Sequence, residues 1–453
     1  MLLLIGLATA LIYGLYRYYT MVSRYPRGPM PWPIIGNMFQ QDFARQHLTS
    51  IKFAPSFDGV FTLYTPGPVV YLTDYVALRE AFVERGDDFA GRPDNIVMEE
   101  LLIDFGMGKN LMEEQVLSSV REYLDALDKI ENKEKVDLCW YIQLMVGNII
   151  NETLFGYRYK YDDCAQLINY VEDFQKWIGD LAKSPEFVVG FVAPVLLKIP
   201  FIGYHCLYKH RDNMRKICQY IVDNVQRCMD GYKSDDEPTC FVHAYKQRMP
   251  NNSFLDDDNL VSTCNDFFLA GHETTTTTLR WAVLHLAMNQ ETQENLRREV
   301  HAVVGRDRLP RMADKSKMIY TQATVLEVQR MANILGLNLA HRTTRDTVVK
   351  GHRIPKDTMV NGDIHYVMAR DPHFVNPERL DLADRVVAFS LGKRACAGEV
   401  TVYSLARVEL FLGLTATVQN YHILPRDGEP IDFEPLPMNI LQPKDQYIRL
   451  EKV

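Results

Sequence analysis

The residue that could carry the most specific chemistry is a cysteine in a glycine-bracketed loop. In Phe389-Ser390-Leu391-Gly392-Lys393-Arg394-Ala395-Cys396-Ala397-Gly398-Glu399, Gly392 and Gly398 flank Cys396 closely. That spacing suits a tight loop and the close approach of a flat ligand. Lys393 and Arg394 favour the thiolate over the thiol. The run from Ser404, SLARVELFLGL, has helical period, so Cys396 falls just before or within the first turn of a helix. The positive end of that helix favours an anionic sulfur. A thiolate so prepared is either a nucleophile or an iron ligand. No His/Asn arrangement of the cysteine-protease type accompanies it, so the metal-ligand reading is the better one.

A second candidate is Ala270-Gly271-His272-Glu273-Thr274, followed by Thr275 to Thr278 inside a long helical pattern. Five consecutive threonines are poor helix formers, and a hydroxyl there can bond the carbonyl one turn back and bend the helix. Phe267, Phe268 and Leu269 before it, and Leu279, Trp281 and Val283 after it, indicate a buried helix rather than a tolerated surface stretch. A zinc-protease H-E-x-x-H would need histidine where Thr276 stands. Third, Glu327 and Arg330 sit at i, i+3 on a helical segment and can meet on one face. Alone, such a pair carries little weight.

These residues must be positioned by a large body. The chain has 453 residues, a formal charge of −8 and 47% apolar residues, a globular composition that excludes wholesale disorder. The mild acidity argues against nucleic-acid binding, which needs a basic face. None of the eight cysteines forms C-x-x-C, so a zinc ribbon or thioredoxin-type site is not expected, and they read as mostly buried thiols of a reducing compartment. Val60 to Leu72 reads as two strands around Pro66-Gly67-Pro68. Helical period marks Leu117–Ile130, Cys139–Phe155, Met214–Tyr232, Leu260–Asn289 and Gln293–Val304, while Arg345 to Val360 alternates like a hairpin edge. The expected fold class is mainly α with a small β component. Phe187 to Tyr208 is apolar but broken by Gly190, Pro194, Pro200 and Gly203, which leaves buried core or a flap on a membrane surface.

Met1 to Tyr16 carries no charged side chain, and Arg17, Arg24 and Arg27 follow it. Sixteen helical residues span about 24 Å, and Tyr18, Tyr19, Met21 and Val22 extend the amphipathic end. The expectation is an uncleaved anchor over residues 1–22, with the body in the cytosol by the positive-inside rule. Ala8-Thr9-Ala10 imitates a cleavage site, but apolar residues continue past it. Residues 23–37 contain a proline-rich strut that would hold the body, residues 38–453, at a fixed attitude to the membrane. In the cytosol, the acceptor sequences at Asn151 and Asn251 would never meet the glycosylation machinery.

Taken together, the chain resembles a cytochrome P-450, a haem-thiolate monooxygenase. Phe389, Gly392, Arg394, Cys396 and Gly398 match F-x-x-G-x-R-x-C-x-G. Ala270 to Thr274 matches A-G-x-E/D-T, and Glu327 with Arg330 matches E-x-x-R. The anchor, the strut and Asn333 to Val360 are similar to the animal microsomal drug- and steroid-oxidising group. The resemblance implies haem b with Cys396 as its axial thiolate, and Phe389 and Gly398 in the loop that binds it. It implies Thr274 with Glu273 as a water-holding proton relay. Arg394, His341 and Arg342 fall where haem propionates are contacted, and Glu327–Arg330 supports the cysteine loop. Asp266, Ala270, Leu337, Leu339, Leu436, Met438 and Ile440 become candidates to line a substrate pocket. The Phe187–Tyr208 flap falls where the family dips into the membrane. The resemblance also implies an endoplasmic reticulum membrane protein acting on a lipophilic small molecule. NADPH-cytochrome P-450 reductase would supply electrons, with cytochrome b5 a second candidate donor.

The chain departs from the pattern in three places. Only ten residues separate Gly91-Arg92-Pro93 from Asp104-Phe105-Gly106, so the expected W-x-x-x-R helix is missing and weak haem retention is expected. The stretch before Phe389 is compressed, which leaves Arg379 and Arg385 both eligible to complete the E-x-x-R group. Val400 to Tyr403 looks inserted. Two functions stay open: an active monooxygenase, and a membrane-anchored haem-domain relic without turnover.

Overall fold

β-Branched and aromatic residues in Val60–Leu72 form the first hairpin, and the remaining strands build on it. In the computed structural model, the described residues are 2–42, 45–65, 67–91, 110–183, 200–233, 236–374, 380–396, 398, 405–436 and 440–453. β1 (Val60–Tyr64) pairs antiparallel with β2 (Pro68–Leu72). β2 then pairs parallel with a late strand, β6 (Met359–Gly362), which pairs with the short β3 (His341–Arg342). β4 (Thr347–Val349) and β5 (His352–Ile354) form the expected hairpin. Residues 359–362 leave it for the main sheet. β7 (Tyr421–Pro425) and β8 (Ile448–Lys452) close the C-terminus.

Helices make up the larger part. They are α1 (Leu2–Val22), α2 (Gln46–Phe53), α3 (Tyr75–Arg79), α4 (Asn110–Asp128), α5 (Cys139–Phe155), α6 (Ala165–Lys183) and α7 (Pro200–Met229). Then follow α8 (Phe241–Arg248), α9 (Asp257–Met288), α10 (Gln290–Val303), α11 (Ile319–Ala332), α12 (Ile364–Arg370) and α13 (Leu405–Asn420). The long α9 runs through the centre and packs on α5, α7, α11 and α13. Its Asp256 N-cap accepts from Asn259 N at 2.7 Å. The five threonines neither break nor end it, because tertiary packing on every side outweighs their low propensity. One apolar core joins the helices, and a second lies under the main sheet and α12.

Two sequence expectations change. The helix expected from Met214 starts at Pro200, since proline is tolerated at a first helical position. Residues 200–208 of the expected flap are therefore helical, and residues 187–199 lie outside the described residues. No helix among the described residues is long and apolar enough to cross a membrane, which leaves the expected anchor over 1–22 without support from the fold. The proline-rich segment is tied down from both sides. Tyr18 Oη donates to the Trp32 carbonyl at 3.0 Å, and Asn37 Nδ2 to the Pro29 carbonyl at 3.2 Å. Tyr64 N donates to Asn37 Oδ1 at 2.9 Å.

Candidate haem-thiolate site

The cysteine loop is shaped by two close backbone approaches. Gly392 has φ +75°, and a Cβ there would sit 1.8 Å from the Phe82 carbonyl oxygen, so only glycine fits. The loop then closes on itself. Ala395 N donates to the Gly392 carbonyl at 3.0 Å and Cys396 N to the Phe389 carbonyl at 2.9 Å. Cys396 is exposed and forms no disulfide. At Gly398 a Cβ would lie 3.5 Å from Cys396 Sγ and 3.7 Å from Ala406 Cβ, so glycine keeps the space beside the sulfur open. Both loop cations bind the 80–91 segment: Lys393 Nζ pairs with Asp87 at 2.5 Å, and Arg394 Nε donates to the Ala90 carbonyl at 3.0 Å. The expected helix after Cys396 is described from Leu405, and residues 399–404, which would bring its first turn to the cysteine, lie outside the described residues.

Beside this loop lies a small cleft. Thr274, Thr275 and Thr278 of α9 form one wall, and Phe389 and Ala406, beside the cysteine loop, form another. Leu335 also lines it. Thr274 Oγ1 donates to the Ala270 carbonyl at 2.7 Å, and Thr278 Oγ1 to the Thr274 carbonyl at 2.9 Å. These back-bonds place the hydroxyl oxygens along the helix edge. Ala270 is exposed in mid-helix, and Asp266 lies one turn earlier on the same open face. Desolvation raises the Asp266 carboxyl above the usual carboxylate range.

Glu273 does not share that face. Its carboxylate is 2% exposed and sits in a polar cage. It accepts from Gln175 Nε2 of α6 at 3.2 and 3.3 Å, and from Gln442 Nε2 at 2.5 Å. Thr277 Oγ1 adds a bond at 3.4 Å. The expected Glu273–Thr274 relay thus has its hydroxyl at the cleft and its acid behind the helix. Gln175 and Gln442 carry no sequence signal, because their partner is distant in the chain. The same holds for Glu409 of α13, buried beside Thr275, where desolvation pushes its carboxyl up to about 8.

His341 is buried, stacks on Phe82 at 3.9 Å and bonds the Phe89 carbonyl through Nδ1 at 2.9 Å. A carbonyl can only accept, so Nδ1 carries a proton and donates it. Arg342 pairs with Asp357 at 2.9 Å on the rim. Glu327 and Arg330 form the expected pair, bidentate at 2.7 and 2.8 Å, and Arg330 also donates to the Met368 carbonyl at 3.0 Å. Arg385 is bound to Asp371 and stacks over Tyr75, while Arg379 lies outside the described residues. Leu337 packs on the sheet core and Leu339 is 70% exposed. Of the C-terminal candidates, Ile440 bridges to Leu335 at the cleft, and Leu436 N donates to the Gln442 carbonyl at 2.9 Å. Met438 lies outside the described residues, as does the 92–109 interval where the missing helix was expected.

Three features fit a haem: a thiol outside any disulfide with glycine-cleared space beside it, a hydroxyl-edged wall on α9, and a buried imidazole and a part-buried guanidinium near the loop. The comparisons with known proteins agree. The model of the family described as Cytochrome P450 matches residues 26–111 and 96–450. The two stretches overlap at residues 96–111. Cytochrome P450 2H1 of Gallus gallus is 31% identical, covering 96% of this chain and 95% of that one. Cytochrome P450 2C5 of Oryctolagus cuniculus is 31% identical, over 93% and 92%. Cytochrome P450 2F2 of Mus musculus is 33% identical, over 91% and 90%. Matched along nearly its whole length by both kinds of comparison, the chain belongs to the cytochrome P450 family, monooxygenases that bind haem b through a cysteine thiolate.

Proposed function

We propose that the protein inserts one atom of dioxygen into a lipophilic small molecule, a xenobiotic, steroid or fatty acid. Electrons would come from NADPH through a separate NADPH-cytochrome P450 reductase, with cytochrome b5 as a second candidate donor. The observation that carries this reading is the exposed Cys396 thiol in a loop bordering a cleft walled by the α9 threonines. The bound haem would supply an iron centre able to activate dioxygen. Cys396 would hold it as the axial thiolate, in a loop whose shape Gly392 dictates and with the space that Gly398 leaves. Arg394 and His341 are assigned to its carboxylates. Nδ1–H of His341 is already committed to the Phe89 carbonyl, so Nε2 is the ring atom that would face them. Arg342 would have to exchange Asp357 for that role.

Thr274 would hold and pass a proton at Oγ1, where the Ala270 carbonyl orients it. Glu273 can join only when its cage opens. In the closed arrangement it positions α9 against α6 and the Gln442 segment. Asp266, Ala270, Leu335 and Ile440 would meet the substrate.

Residues 1–22 are proposed as a single anchor in the endoplasmic reticulum membrane, with 23–37 as its hinge. Support comes from the sequence alone: residues 1–16 carry no charged side chain, and Arg17, Arg24 and Arg27 follow them. Asn151, one of the two acceptor asparagines, is fully buried and donates to the Tyr157 carbonyl at 2.8 Å, as a cytosolic body permits.

The test is the absorbance of the reduced, carbon-monoxide-bound protein. The intact chain should show the red-shifted Soret band of thiolate ligation, and Cys396→Ala should lose it. An unchanged band in the variant would overturn the assignment. A band without reductase-dependent substrate oxidation would instead select the haem-domain relic.

A further inference from the structure

Far from the cysteine loop in sequence, a second cluster of metal-ligating side chains has assembled. Cys228 is in the last turn of α7, Cys240 is the N-cap of α8, and His243 follows in the first turn of α8. Their two sulfurs and one ring nitrogen lie within 4.8 Å of one another. We propose that Cys228, Cys240 and His243 form a binding site for a thiophilic divalent ion, zinc, with water in the fourth position.

The donor set suits a soft or borderline ion rather than calcium or magnesium. Cys240-Phe241-Val242-His243 is a C-x-x-H chelate on one helical turn, a ligand spacing that brings both side chains to one edge. The N-cap position adds the helix's positive end, which favours thiolate.

The imidazole is already set for coordination. Its Nε2 lies 3.1 Å from the Cys228 carbonyl oxygen. A carbonyl can only accept, so Nε2 carries the proton and Nδ1 the lone pair. Metal-ligating histidines are held in this way, by donating the other N–H to a carbonyl or carboxylate. Nδ1 now faces Thr239 Oγ1 at 3.1 Å, a hydroxyl that can rotate aside. Tyr232 stacks on the ring at 3.7 Å and 8°, fixing its plane.

The sulfurs are 3.1 Å apart. A tetrahedral site with Zn–S bonds of about 2.3 Å needs them about 3.8 Å apart, an opening of roughly 0.7 Å. Small rotations of the two thiols would suffice. On binding, two S–H bonds break and two Zn–S bonds form. Nδ1 supplies its electron pair, and two protons go to solvent. The site is then electrically neutral, which its half-buried setting favours. It would staple the end of α7 to the start of α8.

The full-length protein, reduced and freed of metal, is titrated with zinc against a chromophoric chelator. A parallel titration with cadmium reads the near-ultraviolet thiolate charge-transfer band. One ion per chain is expected, with release of two protons. Cys228→Ser and Cys240→Ser should each weaken uptake at least tenfold. Serine is itself a good N-cap, so the Cys240 variant should keep its fold; its unfolding curve without metal checks this. Cys396→Ala should leave uptake unchanged, which separates this site from the haem thiolate. Three results would overturn the proposal: no uptake, uptake insensitive to both serine variants, or a Cys228–Cys240 disulfide that reforms after reduction and excludes the ion.

Discussion

Glu409 offers a quantitative test of how the helical core is built. It lies on α13, 1% exposed, against α9. Neither carboxyl oxygen makes a well-formed hydrogen bond among the described residues. Desolvation lifts its pKa from 4.5 to about 8, and the Thr275 hydroxyl offsets only part of the rise. The folded state therefore keeps a proton that the unfolded chain has lost. The sign follows: this group leaves stability intact below pH 4.5 and removes it progressively as pH rises to about 8. Each pH unit costs ~1.4 kcal/mol, so the penalty at pH 7 is about 3 kcal/mol. Glu409→Gln has nearly the same shape and no charge to desolvate. Its packing offset is the same at every pH, so the informative quantity is the difference between the two chains across pH. From pH 5 to pH 8 the variant should gain about 3–4 kcal/mol relative to the parent. Denaturant midpoints, with slopes checked for constancy, measure it. Parallel stability curves for the two chains would refute the argument, since they would mean Glu409 ionises in the folded protein at its ordinary pKa.

Two further substitutions probe the site's supports. Gly392→Ala puts a methyl 1.8 Å from the Phe82 carbonyl oxygen at φ +75°, a strain of at least ~1–3 kcal/mol; the haem-to-protein absorbance ratio should fall, and an unchanged ratio would mean the loop is more adaptable than its geometry indicates. Gln442→Leu removes the 2.5 Å bond to the buried Glu273 carboxylate and should cost about 1.5–3 kcal/mol of unfolding free energy; adding Glu273→Gln should recover part of it, and strict additivity of the two losses would show that the cage is not a coupled unit.

Local signals were legible where they act locally. Cys139–Phe155 was readable to the residue because its apolar period ends at Gly156, which caps the helix with φ +81°. The hairpin of β1 and β2 was equally plain. The loop around Cys396 was legible because glycine at 392 and 398 reports backbone crowding. What the sequence does not make legible depends on partners brought together by folding. β6 reads in sequence as part of a hairpin because alternation does not say which strand it joins, and it pairs with β2 across 290 positions, as Val69 with Met359 and onward. The cysteines at 228 and 240 looked unrelated because their eleven intervening residues match no simple spacing. Only the turn from α7 into α8 makes them neighbours.

The oxygen-side motif shows how a contiguous string becomes three separate tasks. A helix turns ~100° per residue, so neighbours in sequence face different elements. His272 points to α5, its Nε2 bonded to the Gln143 carbonyl at 3.0 Å. Glu273 points to Gln175 of α6 and to Gln442. Thr274 alone of the three borders the cleft. Gln442 follows Leu441, whose N–H donates to the Ile334 carbonyl at 2.8 Å, and Ile440, which bridges to Leu335. Ile334 and Leu335 both line the cleft. A change at Glu273 therefore reaches the cleft by two routes: through the helix to Thr274, and through Gln442 to the opposite wall. Loss of activity in a Glu273 variant would not by itself identify a proton donor, because the same carboxylate also holds the walls in place.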